Sequence, residues 1–278
     1  MSILKMENMT WKEINQIDKD KCVVLVALSP IEEHGPHLPL GTDYISAKDL
    51  LEAVVNNLEK QNNEYNYIIH PAFPMGYNEC VMNYPGTISY RSKTVENLII
   101  DFGESIKRSG FRKIVIINHH LDLGHIKAIE NARQVLKKEC EIEILEVASS
   151  IVYSKNADSY IEVTEGVDMR NEVHADYRET SFMLYKHPKL VKDCYRKLES
   201  VYMDVENFVK SGGKYWDKCG IDDGYIGSPS KASKEAGEKM FSNSVQSITN
   251  LILDFAENNK VQDLSNNIIN AMKHMILR

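Results

Sequence analysis

Residues 21–30 read Lys-Cys-Val-Val-Leu-Val-Ala-Leu-Ser-Pro, an unbroken, valine-rich apolar run from Cys22 to Leu28 closed by Ser29 and Pro30. A half-exposed strand alternates polar and apolar side chains. A short run without that alternation marks a strand buried on both faces. Lys113–Asn118 (KIVIIN) has the same character, and Tyr67–His70 and Glu141–Val147 are further candidates. Between them the pattern predicts helices from about Ser46 to Leu58 and from about Ile126 to Lys138. A third is predicted over Ser92–Ser109, where Val95, Leu98, Ile99, Phe102 and Ile106 recur at helical spacing and Gly110 is placed to end it. Strands alternating with helices predict an α/β fold, a parallel sheet covered by helices, with ligands bound beyond the carboxyl ends of the strands.

No repeat, low-complexity stretch or Pro/Gly/Ser linker divides the chain, so residues 1–278 are read as one domain. Apolar residues at 43% and charged residues at 26% exclude wholesale disorder. Forty acidic against 33 basic side chains give a net charge of −7, which removes non-specific nucleic-acid binding through the overall field. Cys22–Leu28 is the longest apolar run and falls far short of a membrane span, and the opening MSILKMENMTWKEI lacks the apolar core of a signal peptide. A cytoplasmic protein without a membrane partner is expected. The five cysteines (Cys22, Cys80, Cys140, Cys194, Cys219) are scattered, odd in number and form no C-x-x-C pair, so they are read as reduced thiols. No phosphate loop, dinucleotide fingerprint or nucleophile elbow is present, and nothing local activates Cys80.

Two polar clusters follow the two clearest strands. In Ser29–Asp43, Glu32 and His34 are two apart and leave the same face of an extended segment, and Asp43 follows across a loop stiffened by Pro36 and Pro39. Carboxylate, imidazole and carboxylate are donors suited to Zn, Mn or Fe(II). The alternative is a surface loop of solvated charges. In the second cluster, KIVIIN runs into His119-His120-Leu121-Asp122-Leu123-Gly124-His125, where His120 and Asp122 share a face. Here the alternative is an ordinary turn, with Asn118 and Asp122 capping the next helix. Two such clusters at equivalent strand ends favour a metal site. A third segment, Val173–Ser181, places His174 and Glu179 either beside the metals or, for Glu179, in the polar first turn of a helix.

With these residues in view, the chain resembles the creatininase (creatinine amidohydrolase) family. The resemblance rests on IEEHGPHLPLGTD (31–43), YPGTISY (84–90), IINHHLDLGH (116–125), HADYRETS (174–181) and GYIGSPSKASKEAG (224–237), with MTWKEI (9–14) at the start. It covers about residues 9–250 in order. It implies a three-layer α/β/α sandwich with a mostly parallel central sheet, assembled as a homohexamer and dependent on one or two divalent ions. One ion is then held by Glu32, Asp43 and His120, and the second by His34, the bridging Asp43 and Asp122. His174 is expected to protonate the leaving nitrogen or stabilise the tetrahedral intermediate, with Glu179 orienting it, and Asn78 and Leu121 stand where the family contacts substrate. The chain departs from the pattern at His119 (a glycine in many members), Asp122 (a glutamate in creatininases), Cys80 (a histidine) and Asp176-Tyr177 (Gly-Glu).

The expected function is hydrolysis of a small amide C–N bond, cyclic amides included, by metal-activated water. The alternative is a catalytically inactive metal-binding regulatory or assembly subunit of the same fold. The glycine-rich segment around Trp216–Tyr225 is read either as a mobile surface loop or as an interface that brings a neighbour's Trp216 to the mouth of the site.

Overall fold

The structure, a computed structural model, describes residues 3–61, 63–154 and 167–275. Five strands form one sheet: β1 (Ile3–Lys5), β2 (Cys22–Leu28), β3 (Asn66–Phe73), β4 (Lys113–Ile117) and β5 (Glu143–Glu146). Their order is β1-β3-β2-β4-β5, and every pairing is parallel. The helices are α1 (Trp11–Gln16), α2 (Thr42–Lys60), α3 (Ser92–Arg108), α4 (Leu123–Cys140), α5 (Val147–Val152), α6 (Tyr177–Lys186), α7 (Val205–Lys210), α8 (Lys234–Asn258) and α9 (Asn266–His274).

All seven residues of β2 are buried, as a strand without alternation requires. Val23, Leu25 and Ala27 join a core with α2, Phe182 of α6 and the inner face of α8. Cys22, Val24, Val26 and Leu28 point the other way, into a second core with α3 and α4. Helices therefore cover both faces of the sheet.

Capping explains most of the differences from the expected element ends. Helix α4 begins at Leu123 because the Asp122 carboxylate accepts from the amides of Gly124 and His125. At its other end Glu141 caps it in the left-handed conformation (φ 56°), so β5 starts only at Glu143. Helix α2 starts at Thr42 rather than Ser46, which puts Asp43 in its first turn.

The topology places the site. From β2 the chain crosses through α2 to β3 on one side, and from β4 through α4 to β5 on the other. With α2 and α4 on opposite faces, the connections leaving the adjacent strands β2 and β4 diverge and open a crevice at their carboxyl ends.

Candidate metal centre

Two polar side chains at the strand ends fasten the crevice walls to each other. Ser29 Oγ donates to the Asn118 side-chain oxygen Oδ1 at 3.0 Å and accepts from the His119 backbone amide at 2.9 Å. Asn118 in turn accepts from the His120 amide and donates to the His120 carbonyl. The loop after β2 is held by Glu32 N–H donating to Leu40 and by an antiparallel bridge between Ile31 and Ile88 of the YPGTISY segment.

Glu32, His34, Asp43 and His120 converge in that crevice and are buried. His120 Nε2 faces the Tyr77 carbonyl at 2.9 Å, and His34 Nδ1 faces the Glu32 carbonyl at 3.1 Å. A carbonyl can only accept, so each of these nitrogens carries the ring hydrogen, and the other nitrogen of each neutral ring is a bare lone pair. These lone pairs look at carboxylates. His120 Nδ1 lies 3.2 Å from Glu32 Oε1 and 3.2 Å from Asp43 Oδ2. His34 Nε2 lies 3.5 Å from Asp43 Oδ1 and 3.6 Å from Glu179 Oε2. Lone pair against carboxylate is repulsive unless a cation or a proton sits between them.

Without an ion, a proton takes that place on each ring. Burial opposes charge on His34 and His120, but Asp43 and Glu179 around the first, and Glu32 and Asp43 around the second, raise both well above the ordinary histidine range. Burial likewise opposes ionisation of Asp43, which the His34 charge and hydrogen bonds from His119 and His120 nevertheless hold well below the carboxylate range. Glu179 is pushed down to about 2, against burial, chiefly by His34. Glu32 Oε2, His34 Nε2 and Asp43 Oδ2 are buried without a well-formed hydrogen bond. Orphaned donors of this kind, two imidazoles and carboxylates with ring tautomers fixed from behind, fit a divalent ion. Three donor groups could hold one: Glu32/Asp43/His120, His34/Asp43/Glu179 and Glu32/His34/His174.

His174 flanks this centre, its ring 4.4 Å from that of His34. Its Nε2 meets the Glu33 carbonyl at 2.9 Å and Glu33 Oε1 at 3.2 Å, leaving Nδ1 turned inward, 3.7 Å from Glu32 Oε1. Burial and the His34 charge push His174 down, but Glu33 and Glu32 outweigh them and raise it to about 9. Glu33 itself is clamped: its amide donates to Thr87, and its carboxylate accepts from Gly35 N–H at 2.9 Å. Gly224 (φ 67°) leaves the carboxylate its room, since a Cβ there would stand 2.1 Å from Glu33 Oε2. Glu179 is oriented by the Ala175 amide at 2.6 Å, with Ala175 held in the left-handed region at φ 46°. This chain's own Trp216 stacks edge-on against His174 at 5.1 Å, so no neighbour is needed to bring a tryptophan there.

The remaining expected residues are placed less directly. Asp122, like His119, belongs to none of the three donor groups among the described residues. Its carboxylate caps α4, the employment the plainer reading of that turn gave it. Burial, then the charges of Asp122, Glu32 and Glu79, push Cys80 upward, away from a nucleophilic thiolate. Asn78 is buried with both amide atoms lacking a hydrogen-bond partner, one residue from the Tyr77 carbonyl that orients His120. Leu121 is half-buried beside His120, its carbonyl accepting from Tyr153. Sequence reasoning did not pick out Glu33, whose partner His174 lies 141 residues away.

Comparison with known proteins adds the following. The family described as Creatininase: Creatinine amidohydrolase matches residues 7–252. A mycofactocin precursor peptide peptidase of Mycolicibacterium smegmatis is 26% identical over 226 residues, 80% of this chain and 81% of that protein. A creatinine amidohydrolase of Pseudomonas putida is 23% identical over 120 residues, 41% of this chain and 44% of that one. The solved structure of a creatinine amidohydrolase (creatininase) superposes with a TM-score of 0.66 at 20% identity, over 91% of this chain and 98% of its own. A structure named Creatininase Mn does so at 0.66 and 18%, over 91% and 99%. At those identities the structures establish the fold.

Proposed function

The chain belongs to the creatininase family, and on that premise we propose that it is a metal-dependent amidohydrolase that cleaves a small amide C–N bond. The observation that carries this reading is the pair of bare, buried imidazole nitrogens, His34 Nε2 and His120 Nδ1, aimed at the two oxygens of the single carboxylate Asp43. These residues would hold divalent ions, which when bound would supply an acidified water and a polarising charge for the scissile carbonyl. Glu32, Asp43 and His120 form one donor set, and His34 and the other oxygen of Asp43 begin a second.

The protein's own groups do the rest. His174 is anchored through Nε2 on two oxygens of Glu33, so the inward Nδ1 is the position that hands a proton to the departing nitrogen, a role worth roughly 10²–10⁴-fold in rate. Trp216 covers the outer side of that ring and keeps water from it. The Asn78 amide, buried and unpartnered, offers one donor and one acceptor to a substrate amide.

A peptide amide is the second substrate reading. It is favoured by the likeness to a peptide peptidase over four-fifths of the chain, twice the span matched to the creatinine amidohydrolase. The test is turnover by the Mn- or Zn-loaded protein on creatinine, cyclic ureides, formamides and short peptides. Hydrolysis of any of these amides is expected, and the class cleaved decides between the two substrate readings. A protein that binds the ions and cleaves none of them is the inactive subunit instead.

A further inference from the structure

The second donor set, as the family pattern implies it, needs Asp122, and one oxygen of Asp122 is committed to the start of α4. Its Oδ1 accepts from the amides of Gly124 at 2.7 Å and His125 at 3.3 Å. Two other side chains stand where the set is short. His119 stands where the family motif often has a glycine, and its Nδ1 lies 3.3 Å from Asp43 Oδ1 and 3.9 Å from Glu179 Oε1. Glu179 Oε2 lies 3.6 Å from His34 Nε2. Donors about 2.0–2.2 Å from a tetrahedral ion are about 3.3–3.6 Å from one another. The spacings around Asp43 Oδ1 fall at or slightly above that range, as expected of a set that tightens on an ion.

The ring of His119 is held for the purpose. Its backbone amide is tied to Ser29, and its ring packs on Phe182 with centroids 5.5 Å apart. An independent sign of a ligand is His34 Nε2, which is completely buried, points into the same space and has no hydrogen-bond partner. Asp43 completes the arrangement, with Oδ1 turned to His34 and His119 and Oδ2 turned to His120.

We propose that the second divalent ion of this protein is held by His34, Asp43, Glu179 and His119, with Asp122 outside the coordination sphere as the cap of α4. Relative to the family set, Glu179 takes the place of the Asp122 carboxylate and His119 adds an imidazole, so the charge of the set is unchanged and the extra nitrogen turns its preference toward Zn, Fe(II) or Co(II) over Mn. This rests on the metal-dependent reading above and refines it.

The test is metal content and affinity, measured on the full chain by titration with Co(II) or Zn(II) and elemental analysis after desalting. Wild type is compared with His119→Ala, His119→Gln and Asp122→Asn, and thermal melting confirms that each variant is folded. Both His119 variants are expected to keep one ion at wild-type affinity and to bind the other at least about 100-fold more weakly, because outer-shell partners alone are worth 10–100-fold. Asp122→Asn, which retains capping, is expected to bind both ions as wild type does. Crystals of the Co- or Zn-loaded protein should show an anomalous peak about 2.0–2.2 Å from His119 Nδ1, a readout that survives if a variant fails to fold. His119 variants with unchanged binding, or loss of one ion in Asp122→Asn, overturn the assignment while leaving the metal-dependent reading intact. Ion binding that depends on His119 in a protein that cleaves no amide supports the assignment and sinks the catalytic reading. A wild type that binds no ion sinks both.

Discussion

His174 presents two unlike nitrogens, and the difference makes its role measurable. Nε2 is committed to Glu33, while Nδ1 faces Glu32 at 3.7 Å, near enough either to exchange a proton with substrate or to reach an ion. As the proton donor, His174→Ala should lower turnover by roughly 10²–10⁴-fold and leave the metal content of the purified protein unchanged. Elemental analysis beside kcat settles it, and loss of an ion together with activity would make His174 a ligand. Among the candidate ligands, Glu32, His34 and His120 were legible because spacing and chemistry coincide, each a hard or borderline donor in the loop that leaves a buried strand, and Asp43 because it closes the same loop. Glu33 was hidden between two of them. Its task, gripping a histidine 141 residues away, leaves no local pattern. Asp122 shows the opposite limit, since the same carboxylate two residues after His120 suits a ligand or a helix cap, and the sequence alone gives no sign that it caps α4.

At the scale of elements, the cap has a cost that can be read. Asp122→Ala removes the acceptor for two amide donors at the start of α4 and should destabilise the protein by about 1 kcal/mol. In urea this appears as a lower midpoint with an unchanged slope, and an altered slope would mean that more than the cap is lost. The central strands β2 and β4 were evident from their runs of Val, Ile and Leu, because burial on both faces leaves no room for alternation. Strand β1 was not, since three residues at the sheet edge that are at most half-buried carry too little pattern to stand out from the coil beside them. The early start of α2 escaped for a related reason. Gly41 contributes no side-chain cap, so the sequence gives no signal that Thr42 and Asp43 are already helical. That start carries Asp43 to the site on the first turn of a rigid helix rather than on a loop folding back.

For the molecule as a whole, a buried histidine outside the donor sets links stability to acid. His37 is fully buried between Thr180 and Tyr225, and burial, then the neighbouring His34 charge, push it from 6.5 down to about 4. The folded state thus holds it neutral while the unfolded chain takes up a proton. Its contribution is intact above about pH 6.5 and is lost as pH falls toward about 4, at up to about 1.4 kcal/mol per pH unit. The difference between wild type and His37→Gln should show that slope in denaturation at pH 4.5–6.5, and parallel curves would refute it. Assembly is the remaining property at this scale. The family resemblance implies a hexamer, and the surface carries apolar groups that an isolated chain gains nothing by exposing. Trp11 is 75% exposed on α1, and Ile88 is 53% exposed at the lip of the crevice, where it pairs with Ile31. Leu40, whose carbonyl pairs with Glu32, is exposed on the same lip. An apolar lip around a crevice is better buried than wetted, and contact between copies is one way to bury it. Light scattering at micromolar concentration should therefore give six times the mass of the chain, and Ile88→Lys, which puts a charge on the lip, should shift that mass downward. A clean monomer in the wild type would leave the lip to the substrate alone.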